Sequence, residues 1–134
     1  MLINVLIVEK ESIIALDLKH KLKSMDCVVI ITQSGEEALK IIESNKIDLI
    51  FIATHLQGAL NGIETAIQIR DKLNIPIIYI SANSNLTAFE ELKQTRPYQH
   101  LIKPFDDSQV QTAINNCLMA IKLNEIQEKC LNKS

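Results

Sequence analysis

The chain has 134 residues, 47% of them apolar, with 16 acidic and 14 basic side chains and a formal net charge of -2. That length suits one compact domain whose core needs no disulfide staples, and that apolar content excludes a disordered chain. Lys and Arg are scattered and never form a long run, so nothing points to nucleic acid or an anionic membrane as a partner.

The apolar start, residues 1–8, is too short to span a bilayer and lacks the basic lead and small-residue cleavage site of a signal peptide. Cys27, Cys117 and Cys130 are widely spaced, with no CxxC pair. Reduced thiols in a cytoplasmic protein are the expectation, with no metal or redox role.

Taken in chain order, the first element is a β-branched apolar run at 2–8. Ile14, Leu18, Leu22 and Met25 then repeat at helical spacing. A second run, 28–32, leads to Ser34, with Glu37 three residues on, which resembles a capping box opening a second helix. The run 49–52 follows, and then a loop at 54–61, whose Gly58 and Asn61-Gly62 suggest a turn. Ile63, Ala66, Ile67, Arg70 and Leu73 make the stripe of a third helix. A fourth run, 75–80, begins around Pro76, where a missing N–H is tolerated. A weaker fifth, 98–102, precedes a stripe of Val110, Ala113, Ile114, Cys117, Leu118 and Ile121, capped by Asp106 or Asp107.

The strand runs are continuously apolar, as expected for strands covered on both faces. Strands alternating with helices predict an α/β fold, a five-stranded parallel sheet with helices on both faces. In such sheets, chemistry collects at the carboxyl ends of the strands. Those ends carry Glu9-Lys10-Glu11, Ala53-Thr54, Ser81-Ala82 and Lys103-Pro104. The first turn has no glycine, so neither a dinucleotide-binding nor a P-loop phosphate site is encoded.

Several ordered motifs carry a family resemblance over residues 2 to about 121. Val5-Leu6-Ile7-Val8-Glu9-Lys10-Glu11, Asp48-Leu49-Ile50-Phe51-Ile52-Ala53, Gly62-Ile63-Glu64-Thr65-Ala66, Ile75-Pro76-Ile77-Ile78-Tyr79-Ile80-Ser81-Ala82 and Leu101-Ile102-Lys103-Pro104-Phe105 together resemble the receiver domain of response regulators. The resemblance implies a flavodoxin-like, doubly wound domain over 1–121, acting in two-component phosphorelay signal transduction. Residues 122–134 form a C-terminal helical extension or linker. The implied role is non-enzymatic.

In that family, two acidic residues after the first strand and an aspartate after the third hold Mg²⁺. The strand-three aspartate takes a phosphoryl group, and a hydroxyl and a lysine contact that group's oxygens. Matched to those positions, Glu9 keeps one acid and Lys10 replaces the other. Ala53 stands at the phosphoacceptor position, while Ser81 and Lys103 keep the hydroxyl and the lysine. Three carboxylates and one lysine become one carboxylate and two ammonium groups. The pocket thus turns from attracting a divalent cation to repelling it, by roughly a few kcal/mol at an effective dielectric near 20.

The expectation is therefore a pseudo-receiver that has lost both phosphorylation and Mg²⁺. Lys10 argues that Ala53 is natural degeneration, against an engineered Asp→Ala change. Glu11, at the helix start, is expected to point away, and Thr54 to face the opposite side of the sheet. Lys103 either pairs with Glu9 or joins Lys10, Ser81 and a helix N-terminus in holding a small anion.

Receivers usually carry Tyr or Phe at the switch position, which here is His100. Its two readings are an altered, pH-sensitive switch and an exposed histidine on that face of the sheet, the second favoured. Met119, Leu123, Ile126 and Cys130 form a second stripe, which suits a homodimer or an adjoining domain, or else belongs to a frayed polar tail. Expected partners are a histidine kinase or a fused sensor or output domain, with no nucleic acid and no membrane. The implied output surface is the fourth helix, fifth strand and fifth helix. Two alternatives are an active receiver using an unconventional acceptor and a small-anion-binding regulatory domain.

Overall fold

The computed structural model describes residues 2–56, 58–82 and 99–132, with side chains of the last helix described through Gln127. Strands β1 Ile3–Val8, β2 Cys27–Thr32, β3 Leu49–Ala53, β4 Ile77–Ser81 and β5 Gln99–Ile102 form one sheet in the order β2-β1-β3-β4-β5. Every neighbouring pair is parallel. Helices α1 Ser12–Lys23, α2 Gly35–Ser44, α3 Gly62–Lys72 and α4 Asp107–Asn132 complete the described elements. The helix expected before the fifth strand, together with Tyr98, falls at 83–98, outside the described residues, as does the Cys130 side chain.

Side chains alternate across the sheet, so each central strand feeds two cores. Val5, Ile7, Leu49, Phe51, Ile78 and Ile80 face α1 and α4. Leu6, Val8, Ile50, Ile52, Ile77 and Tyr79 face α2 and α3. Phe51 and Tyr79 are both 0% exposed. Burying one such side chain stabilises the fold by about 1.5–3 kcal/mol.

The predicted stripes of α1 and α4 meet the core, with Leu18, Leu22, Val110, Ala113, Ile114, Cys117 and Ile121 buried. The α1 stripe is shifted slightly, because Ala15 is fully buried while Ile14 is only half-buried. In α3 the stripe differs from the expectation. Ile63, Ala66 and Ile69 are buried, whereas Ile67 and Leu73 are exposed.

Caps define where the helices begin. Asn61 Oδ1 accepts the Glu64 N–H at 2.8 Å, and Glu64 Oε1 accepts the Asn61 N–H at 3.0 Å, a reciprocal box at the start of α3. Asp106 does the same for α4 with Gln109, at 2.8 and 2.9 Å. Only half of the box expected at α2 forms. Ser34 Oγ accepts the Glu37 N–H at 3.2 Å, but the Glu37 carboxylate takes the Thr32 hydroxyl instead, at 2.8 Å.

Gly62 sets the closest approach of helix to strand. Its N–H donates to the Thr54 carbonyl at 3.1 Å, and a Cβ there would collide with the Ala53 carbonyl oxygen. A side chain on Gly35 would meet Thr65 Oγ1, so α2 and α3 also need a glycine to pack together. These contacts hold the end of β3 in place.

Candidate strand-end site

Backbone bonds beyond the strands proper position the site. Glu9 N–H donates to Thr32 O at 3.0 Å, Thr54 N–H to Ile80 O at 2.9 Å, and Lys103 N–H to Ser81 O at 2.8 Å. Each ladder is thereby carried one residue further, past the last apolar pair. The residues that follow the strands are brought to one edge of the sheet. The Lys103–Pro104 peptide is cis.

Glu9 is 1% exposed. Its Oε1 accepts the Glu11 N–H at 3.2 Å and lies 3.3 Å from Lys103 Nζ. Its Oε2 is buried with no hydrogen-bond partner. Lys103 Nζ also lies 3.7 Å from Glu11 Oε1. Glu11 therefore points toward the site rather than away from it. Its carboxylate stays partly in water while reaching the same ammonium. Counting Glu11, two carboxylates face Lys10 and Lys103, so the local formal charge is balanced and not positive.

A cavity of about 80 Å³ at the strand ends is lined in part by Lys10, Ala53, Thr54, His55, Ser81 and Lys103. Thr54 thus lines the same cavity as Ala53, although its parity in the strand is opposite. At the end of β3 there is a methyl group where an oxygen would be needed to ligate a cation or accept a group. Among the described residues, no three His, Cys, Asp or Glu side chains are grouped to hold a metal ion. The carboxylates present are Glu9 and Glu11, with Lys103 already upon both.

Ser81 is 8% exposed, and its Oγ lies 2.6 Å from His100 Nε2. The β4–β5 register pairs Tyr79 with His100 and Ser81 with Ile102, which makes Ser81 and His100 diagonal neighbours. His100 is half-buried, not exposed, and burial holds its pKa below the ordinary histidine value. The sequence placed both residues at the site but missed their contact, because nothing in a single sequence registers one strand against another.

Beside the site, Ile13, Ile14, Asp17, Lys103, Pro104 and Phe105 line a groove of about 490 Å³. Ile13 is 84% exposed and Leu16 56%. On α4, Met119 is 69% exposed, Leu123 50% and Ile126 56%, so the second stripe lies off the core, on a helix that continues to Asn132. No described helix is long and apolar enough to cross a membrane.

A doubly wound parallel sheet with acid, hydroxyl and lysine at its strand ends defines a receiver-type α/β domain. The sequence matches the response regulator receiver domain model over residues 5–115, and the chain belongs to that family. It is 32% identical over 118 residues to the transcriptional regulatory protein MalR of Bacillus subtilis, covering 86% of this chain and 50% of that protein. It is 30% identical over 112 residues to the transcriptional regulatory protein PdtaR of Mycobacterium tuberculosis, covering 83% of this chain and 54% of that protein. The chain thus spans about half the length of these curated relatives, which their names describe as transcriptional regulatory proteins. Among solved structures, the signal receiver domain of a modulated diguanylate cyclase from Desulfovibrio desulfuricans superposes with a TM-score of 0.85 at 30% identity, covering 92% of this chain and 99% of that one.

Proposed function

We propose that this receiver domain acts in two-component signalling as an interaction module that is not switched by aspartyl phosphorylation and does not hold Mg²⁺. The observation that carries this reading is the end of β3, where Ala53 faces a cavity whose buried acid, Glu9, is already paired with Lys103. A methyl group accepts no phosphoryl. Lys103, the residue expected to meet the phosphoryl oxygens, is held by Glu9 and Glu11. The neutralising role of a divalent cation is filled from within.

With the switch chemistry absent, function passes to surfaces. The apolar groove beside Ile13 and Phe105 suits a helix of a signalling partner such as a histidine kinase. The exposed stripe of α4 suits a second copy of the chain or a fused sensor or output domain. The named relatives are transcriptional regulators about twice as long as the matched region, so contact with nucleic acid would come through such a domain. The surfaces of β5 and α4 serve as the output face.

Incubation with acetyl phosphate and Mg²⁺, followed by intact-mass measurement at neutral pH, tests this reading. The expected result is no hydroxylamine-sensitive phosphoryl adduct. A hydroxylamine-sensitive adduct, including one on another carboxylate such as Glu11, would overturn it. Lys10, which makes no ion pair with any described residue, favours a second reading, a small-anion regulatory site. That reading requires inorganic phosphate to raise the melting temperature, and Lys10→Ala to abolish the rise.

A further inference from the structure

We propose that Ser81 and His100 form a nucleophile–base pair, and that Ser81 Oγ takes a short acyl group from an activated ester. The proposal goes beyond the signalling role and stands apart from phosphorylation at the end of β3.

A serine hydroxyl is a weak nucleophile until an adjacent base takes its proton. Here Ser81 Oγ lies 2.6 Å from His100 Nε2, within the distance such a transfer needs. Burial lowers the His100 pKa, which favours the neutral imidazole, the form that accepts a proton. Ser81 is 8% exposed but lines the strand-end cavity, which gives an acyl donor its approach. A volume of about 80 Å³ selects a short acyl group over a long chain. Lys10 lines the same cavity, and its positive charge suits the oxyanion of a tetrahedral intermediate.

In the step, Ser81 Oγ bonds to the carbonyl carbon while its proton passes to His100 Nε2. The tetrahedral intermediate then expels the leaving alkoxide or phenoxide, breaking its bond to carbon. His100 returns the proton to the leaving group or to solvent. No electron is gained or lost overall, and the products are an O-acyl ester of Ser81 and an alcohol or phenol. The outcome is a single modification of the chain and not turnover.

The test uses p-nitrophenyl acetate on the full chain, with the modified residue located by peptide mass spectrometry. An acetyl ester on Ser81 is expected, lost in Ser81→Ala and formed about a hundredfold more slowly in His100→Phe. Circular dichroism establishes that both variants fold, and His100→Gln serves as the second variant if the phenylalanine is not accommodated. Acetylation confined to lysines, or a Ser81 ester forming at the same rate without the imidazole, would overturn the proposal.

Discussion

Lys103 Nζ stands 3.3 Å from Glu9 Oε1, where the Glu9 side chain is 0% exposed and the Lys103 side chain 17%. A carboxylate removed so fully from water needs a positive partner, because desolvation of an ion costs several kcal/mol. Lys103 is that partner, and it arrives from β5 because the Lys103 N–H is fixed to Ser81 O. The same residue pair closes the site and secures the strand ends.

Breaking this pair should be costly. Lys103→Met leaves the buried Glu9 carboxylate with only the Glu11 N–H, and is expected to destabilise the fold by about 3 kcal/mol in urea unfolding. Replacing both partners, Glu9→Met with Lys103→Met, removes the orphaned charge and should recover most of that loss. If the single and double variants lose equal stability, the pair does not carry the effect assigned to it.

Gly62 is the second point of leverage on the site. A Cβ at this position collides with the Ala53 carbonyl oxygen, which is backbone and cannot rotate away. Gly62→Ala should cost about 1–3 kcal/mol of stability, the range for overpacking a filled interior. Amide chemical shifts of Ala53 and Thr54 should move with it. Ala substitution at Gly58, in the same loop, acts through backbone strain instead, since its φ is +101°. Its shifts should be confined to the loop and Glu36.

Stability should also depend on pH. Burial lowers the pKa of His100 in the folded chain below the ordinary 6.5, because desolvation disfavours the charged imidazolium. Between those two values the unfolded chain binds more protons than the folded one, and stability therefore rises with pH. The contribution is complete above about pH 6.5 and is lost as pH falls toward the folded pKa. Urea midpoints measured from about pH 8 to about pH 5 should decline at the acid end, and His100→Gln should flatten that decline. An identical profile in the variant would assign the decline to other groups.

The parts of the fold that the sequence made legible are those where one physical force dominates. The runs at 49–52 and 75–80 are buried on both faces, so every residue in them is apolar, and the pattern needs no partner to be read. The stripe of α4 is legible because its core-facing side chains recur at helical spacing. In α3 the stripe departs from the expectation at Ile67 and Leu73, which are exposed, while Ile63, Ala66 and Ile69 take the buried face packed toward β3. Local caps were half legible. Asp106 works as expected, whereas Glu37 abandons its cap for Thr32 because the end of β2 comes within reach.

The site followed the same division. Glu9, Lys10, Ala53, Ser81 and Lys103 could be named from the strand ends, since a parallel sheet gathers those ends. The ion pairs among them could not. A place at the helix start predicts that Glu11 points away, yet its side chain is long enough to turn back toward Lys103. The Ser81–His100 contact depends on the β4–β5 register, and no local pattern specifies it.

On the proposed function, an internal ammonium and not a divalent cation neutralises the strand-end acid. A Mg²⁺ titration of the ¹⁵N-labelled full chain, followed by amide chemical shifts, tests it most directly. The account predicts no saturable shifts at Glu9, Lys10, Ala53 and Thr54 at millimolar Mg²⁺, and their appearance at Glu9 and Lys10 once Lys103 is replaced by Met. Saturable shifts converging on those four residues in the unaltered chain would contradict it.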